Sequence, residues 1–304
     1  MKRRVLIQFC ICVTMVLTLL AGCGGPKADE PDQTAAPTEN PGYHAKPNAV
    51  DGYVHSHPVG TTVCYDLNGD GIGEDITVNA QEYEEGNLTI NGASLDFFSA
   101  TPTGYFTVLN LNTARNVLLV GISDYGFSDD NMTVLYAYDG NAIKEVGFFD
   151  DIVGENAYGL KGAVCHGDGT VSARTRLDTL GTWNASCRYY VDETGVWDIT
   201  EFYQYEDWEG NRGGWEVTAK VDLTMYDEIG NFDRKTVVPA GTKLQMNGVR
   251  KATEADSHWA SFTVASTGET FWMVTRKIDW QTYVQTADGL VTSEEAFDGF
   301  YYAG

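Results

Sequence analysis

The chain has 304 residues, with 43 Asp and Glu against 20 Lys and Arg, a formal net charge of −23. So acidic a body repels phosphate, which excludes tracking along nucleic acid or lying flat on anionic lipid. It suits cation binding, and equally plain solubility.

Lys2, Arg3 and Arg4 make a basic start, residues 5–20 are mostly apolar, and Ala21 and Gly22 follow. This is the layout of a targeting segment that is removed from the mature protein. Leu20-Ala21-Gly22-Cys23 resembles the bacterial lipobox. The resemblance implies a signal peptide over residues 1–22 and lipidation of Cys23. The expected location is the extracytoplasmic face of a bacterial envelope, with the membrane engaged through lipid alone. Residues 23–60 then carry six of the eight prolines, mixed with Gly, Thr, Ala, Asp and Glu. Such a stretch buries too little apolar surface to offset its ordering entropy and reads as a disordered tether.

From residue 61 the patterns are those of strands. Val, Ile, Thr, Tyr and Phe alternate with polar residues at 105–109, 117–122, 133–138, 143–149, 171–177, 186–191 and 196–203. Asp139-Gly140 and Asp168-Gly169 mark hairpin turns. The one helical signal is 293–297, with Ser293 as N-cap and Glu294 and Glu295 in the first turn. The expected fold class is therefore all-β. Two echoes suggest antiparallel repeat units over 61–205. YAYDGNAIKEV (136–146) parallels YYVDETGVWDI (189–199), and Leu109-Asn110-Leu111-Asn112 parallels Tyr65-Asp66-Leu67-Asn68.

The second echo brings out the stretch 64–78, CYDLNGDGIGEDITV. Asp66, Asn68 and Asp70 occupy positions 1, 3 and 5 of a loop, with Gly71 at 6, the Ile72 carbonyl at 7 and Glu74 at 9. Alternating hard oxygen donors around glycines point to calcium, which takes about six to eight oxygens at flexible geometry. An EF-hand needs Glu at position 12, where Thr77 stands, and both it and a dockerin-type loop continue as helix. Here Ile76-Thr77-Val78 continues as strand. The loop resembles the FG-GAP or VCBS-type repeat of integrin-α-like propellers and bacterial surface proteins. That implies one calcium ion held by Asp66, Asn68, Asp70, Glu74 and the Ile72 carbonyl, with Asp75 as a helper, in a propeller-like or partial propeller fold. Glu74 departs from the Asp usual in that family. At Asn110–Asn112 the echo has lost two carboxylates and gained Arg115, so a cation is expected at one loop and not at the other.

Residues 215–304 form a second expected domain. The runs Pro239-Ala240-Gly241-Thr242-Lys243-Leu244, Trp259-Ala260-Ser261-Phe262 and Phe271-Trp272-Met273-Val274 resemble the small bacterial Src-homology-3-like barrel. The resemblance implies cell-wall peptide or glycan as partner.

Of the cysteines outside the signal, Cys23 is assigned to lipid, which leaves Cys64, Cys165 and Cys187. Cys165 with Cys187 is the expected pair if a disulfide forms. No C-x-x-C spacing suggests structural zinc. No G-x-S-x-G, H-E-x-x-H, P-loop or G-x-G-x-x-G is present. His55-Ser56-His57 abuts the tether and reads as solvated, and His166 beside Cys165 reads as a hairpin edge. Asp129-Asp130 and Asp150-Asp151 are adjacent acids, which cannot by themselves flank a glycosidic bond. The remaining candidate is 202–215, FYQYEDWEGNRGGW. There Tyr203, Tyr205, Trp208 and Trp215 offer faces for sugar stacking, or else packing for a domain junction. The expectation is a non-catalytic surface lipoprotein that binds cell-wall glycan or peptide, or another surface protein. The alternative is an accessory to an envelope hydrolase, or a cryptic hydrolase.

Overall fold

In the computed structural model the described residues are Asn48 and 52–302, except 116, 127–129, 157, 160–161, 208–209 and 253–256. The lipobox, Cys23 and most of the tether lie outside them.

The described chain is all-β and antiparallel apart from one helical turn. After β1 (Val54–Pro58) come three meanders. The first is a four-stranded sheet of β2 (Thr62–Tyr65), β3 (Glu74–Asn79), β4 (Glu84–Ile90) and β5 (Ala93–Ser99). The second comprises β6 (Pro102–Leu109), β7 (Leu119–Asp124), β8 (Met132–Tyr138) and β9 (Ile143–Asp150), with β1 added along β6. The third runs through β10 (Val164–Cys165), β11 (Thr170–Leu177), β12 (Trp183–Asp192) and β13 (Gly195–Asp198).

The rest is built from β14 (Tyr203–Glu206), β15 (Trp215–Ala219), β16 (Leu223–Tyr226), β17 (Lys235–Val238), β18 (Lys243–Lys251) and β19 (Ser257–Val264). It ends with β20 (Thr270–Ile278), β21 (Gln281–Thr286), β22 (Gly289–Thr292), helix α1 (Ser293–Ala296) and β23 (Phe297–Asp298).

Strand alternation explains how the meanders stack. Successive side chains of a strand point to opposite faces. Phe106 and Val108 of β6, with Val120 and Ile122 of β7, join Ile76, Val78, Leu88 and Ile90 of the first meander in one core. Leu109, Leu119, Leu135 and Phe149 belong to a second core with Val171, Ala185 and Val191 of the third. The middle meander is thus apolar on both faces, which is why β6 and β7 read as nearly continuous apolar runs. At Gly121 a Cβ would stand 2.6 Å from Thr107 Oγ1 and 3.0 Å from Leu109 Cδ1, so the close approach of β6 and β7 requires glycine there.

The two echoes fall on equivalent pieces of the meanders. The first pair lies on the β8–β9 and β12–β13 hairpins, and the second on the β2–β3 and β6–β7 loops.

Five expectations need correction. The tether does not run to residue 60, because Val54–Pro58 pairs in register with Leu109–Tyr105 of β6. The strand escaped the pattern because its residues are His and Ser. His55 and His57 nonetheless share one face and pack on the Tyr65 ring at 5.8 and 5.6 Å. His57 Nε2 lies 3.0 Å from the Tyr65 hydroxyl, so these histidines are structural parts of a sheet and not a solvated pair. Residues 196–203 are two strands rather than one. Asp198 Oδ1 accepts from Thr200 N at 3.0 Å, and the Thr200 hydroxyl takes the Arg188 amide at 2.8 Å, turning the chain between β13 and β14. The helix N-cap is Thr292 and not Ser293. Thr292 Oγ1 accepts from Glu295 N, and the Glu295 carboxylate accepts from Thr292 N at 2.9 Å, a reciprocal capping box.

The last correction concerns the domains. β14 pairs with β12 on one side and with β18 on the other, so one sheet continues from β10 into the region expected to be separate. The second core likewise includes Leu244, Met246, Phe262, Met273 and Val284 beside Leu109 and Val171. Among the described residues the C-terminal strands form no closed barrel of their own.

Candidate functional site

The acidic loop spans residues 66–73 between β2 and β3, closed by the Tyr65–Glu74 pair. Its side chains fold back onto its own backbone. Asp66 Oδ1 accepts from Gly69 N at 2.8 Å and Oδ2 from Gly71 N at 2.9 Å. Asn68 Oδ1 accepts from Asp70 N at 2.9 Å, and Asp70 Oδ1 from Ile72 N at 2.8 Å. Gly69 and Gly71 have φ of 79° and 87°, a left-handed backbone open to glycine at little cost. Glu74 is 2% exposed and accepts the Leu67 amide at 2.7 Å. Burial pushes its carboxyl above the usual range against that hydrogen bond, and the Asp70 and Asp66 charges add to the rise.

Asp66, Asn68, Asp70 and Glu74 therefore share one loop, with Ile72 43% exposed at its tip. Asp75 leaves it, because strand alternation sets it opposite Cys64, whose thiol it helps to push up after burial. Among the described residues no three His, Cys, Asp or Glu side chains already converge as a metal-ligand group.

The corresponding β6–β7 loop is neutralised from within. Arg115 Nη1 lies 2.7 Å from Glu193 Oε2 and 3.7 Å from Asp192 Oδ2 on the β12–β13 hairpin. Against burial, hydrogen bonds from Thr194 and the Arg115 charge hold Asp192 below the usual carboxylate range. In the first loop the Asn68 amide flanks Gly140 of the equivalent β8–β9 hairpin.

The aromatic stretch divides. Tyr205 and Trp215 come together, with ring centroids 5.8 Å apart, and Trp183 packs on Tyr205 at 6.0 Å. With Thr182, Asn184, Glu206, Asp207 and Tyr301 they line a cavity of about 90 Å³. Arg212 Nε holds Glu206 at 3.2 Å, and the Ser186 hydroxyl donates to the same carboxylate. Tyr203 does not belong to this surface. It is 3% exposed, its hydroxyl donates to Asp198, and Lys251 binds the same carboxylate at 2.5 Å. Burial, then Asp198, pushes the Tyr203 phenol up to about 12. Trp208 lies outside the described residues. Trp183, Thr182 and Tyr301 were missed because they come from β12 and the C-terminal segment, and nothing local in their sequence marks them.

Cys165 and Cys187 are free thiols on β10 and β12, with β11 between them, so the expected disulfide is not formed. Burial pushes both up to about 12, away from thiolate reactivity. His166 Nε2 lies 2.8 Å from Ser172 Oγ rather than serving the Cys165 thiol. Asp150 accepts the Tyr189 hydroxyl at 2.8 Å, and Asp151 takes the Ile152 and Arg174 amides at 2.8 and 3.1 Å, which gives both acids structural partners. Asp129 lies outside the described residues. No family model, no curated protein and no solved structure matches this chain.

Proposed function

We propose that the protein is a non-catalytic binding module held at a bacterial surface through lipid on Cys23, and that its ligand is an envelope or surface glycan. The observation that carries this reading is the Tyr205–Trp215 cleft. Two partly exposed rings stand beside Thr182, Asn184, Glu206 and Asp207, which combines stacking faces with hydrogen-bonding groups. Sugars need this combination, because their C–H faces pack on aromatic rings while their hydroxyls need polar partners. Binding to a panel of immobilised bacterial and host polysaccharides tests it. Retention on one class, lost in Trp215→Ala, supports the reading. Release of new reducing ends would instead establish a hydrolase.

The loop at 66–74 is the second part of the proposal. Asp66, Asn68, Asp70, the Ile72 carbonyl and Glu74 would hold calcium, whose charge would offset the crowding of three carboxylates. The fit rests on Glu74, a buried acid near two others that has, among the described residues, no cationic partner such as Arg115 provides in the β6–β7 loop. Calcium would staple the first meander and contribute no chemistry.

Four strands per meander, with the sequence echoes on equivalent hairpins of neighbouring meanders, support propeller-like units in a partial propeller. The succession β16 to β21 supports a Src-homology-3-like part merged into the common sheet.

A further inference from the structure

The glycan reading leaves a difficulty of size. A cavity of about 90 Å³ is small against the ~300–1,000 Å³ of ordinary ligand sites. A second cavity of about 320 Å³ meets it at Thr182, a residue that lines both. Thr182 N donates to Tyr301 O at 2.8 Å, and that pairing forms the ridge between them, with Tyr301 lining one side and Tyr302 the other.

Polar side chains line much of the second cavity. Asp178, Lys277, Gln281, Thr292 and Glu294 line it, and Trp280 stands at its mouth. Trp280 is 84% exposed, the most exposed of the large apolar residues described. It occupies the tip of the two-residue β20–β21 turn, where Asp279 has φ 55°. Such tips favour Gly, Asn and Asp, and a tryptophan there contributes no core packing. It lines the cavity together with hydrogen-bond donors and acceptors, as Tyr205 and Trp215 do on the other side of the ridge.

We infer that the two cavities are one extended site for a neutral linear oligosaccharide, with Trp280 stacking on the sugar units that lie beyond the Thr182–Tyr301 ridge. This rests on the glycan reading and adds chain length, a second contact residue and charge class. The charge class follows from the lining. Asp178, Glu206, Asp207 and Glu294 outnumber Lys277, and the whole chain is strongly acidic, so polyanionic glycans are repelled.

Calorimetric titration of the protein with cello- and chito-oligosaccharides of increasing length tests the inference, with hyaluronan fragments as the anionic comparison. In at least one neutral series, the tetramer is expected to bind about tenfold more tightly than the dimer, a gap of one decade in Kd. Trp280→Ala should erase that gain, leave the dimer unchanged and leave Tm unchanged because the ring is exposed. Trp215→Ala should weaken dimer and tetramer alike. If dimers bind at Trp215 with no gain in length, or Trp280→Ala leaves the tetramer unaffected, the extended site is wrong while the glycan reading stands. Preference for hyaluronan overturns the charge class. If no sugar binds, or if wall peptides bind in place of sugars, both readings fall.

Discussion

Glu74 shows what a single residue reveals when its surroundings are acidic. Its carboxyl is raised by burial and by Asp70 and Asp66, so the folded state holds its proton more firmly than the unfolded chain does. By linkage, stability from this group is present at low pH and is lost as pH rises through the carboxylate range. Without calcium, Glu74→Gln should therefore melt above the wild type at pH 7 and converge with it in acid. A variant melting below the wild type at pH 7 would contradict this. Under the proposed calcium reading the comparison reverses. Extracellular calcium modules bind at about 10⁻⁴–10⁻³ M, so ~10 mM calcium should raise the wild-type Tm by about 3–10 °C over chelator. Asp70→Ala should abolish the shift. The loop was legible in the sequence because its donors and glycines are consecutive, and spacing carries the geometry. The aromatic cleft was half legible: Tyr205 and Trp215 stood out, but Tyr203, two residues before Tyr205 on β14, is buried with its hydroxyl on Asp198, and Trp183 and Tyr301 arrive from segments distant in sequence.

At the scale of elements, contacts between hairpins hold neighbouring meanders in line. Leu118 N donates to Leu67 O at 3.0 Å, tying the first loop to the second meander, and Thr113 N donates to Gly167 O at 3.0 Å, tying the second to the third. Arg115 adds an ion pair between partly exposed groups, which contributes at most about 1 kcal/mol. Arg115→Ala should accordingly lower stability by ~0.5 kcal/mol in denaturant titration. Leu67→Ala should cost about 2–5 kcal/mol, because Leu67 is fully buried in the core between the first two meanders. The reverse order of these two effects would mean that charge, and not packing, aligns the meanders. Apolar alternation made β6 to β9, β11 and β12 readable. β1 was hidden because its partners are chosen by a strand about fifty residues away, and its own His-Ser-His carries no apolar signal.

The molecule as a whole tests whether the β10–β22 sheet joins two domains or fuses them. Sequence alone separates 61–205 from 215–304, since composition changes near Trp215 and long-range pairing leaves no local mark. The fusion has three physical parts. Tyr203 and Gln204 of β14 pair with Val249 and Gly248 of β18. Asp198, Tyr203 and Lys251 join β13, β14 and β18 in one hydrogen-bonded group, in which Tyr203 is buried and Lys251 stays exposed with Nζ 5.0 Å from the Tyr203 ring centroid. The second core runs without a break from Leu109 to Val284. Cooperative unfolding follows from such continuity, because neither half can open without exposing apolar surface of the other. Scanning calorimetry should show one transition for the third meander and the C-terminal strands together. Ala185→Gly in the third meander and Met273→Ala among the C-terminal strands should move that transition as a unit, the latter by about 2–5 kcal/mol. Lys251→Met should lower it by ~1 kcal/mol, since it leaves the partly buried Asp198 carboxylate without its cation. Two separate transitions, with Met273→Ala moving only one, would restore the two-domain division. A single transition would place the Tyr205–Trp215 cleft at the centre of one cooperative body, where a bound ligand stabilises both sides at once.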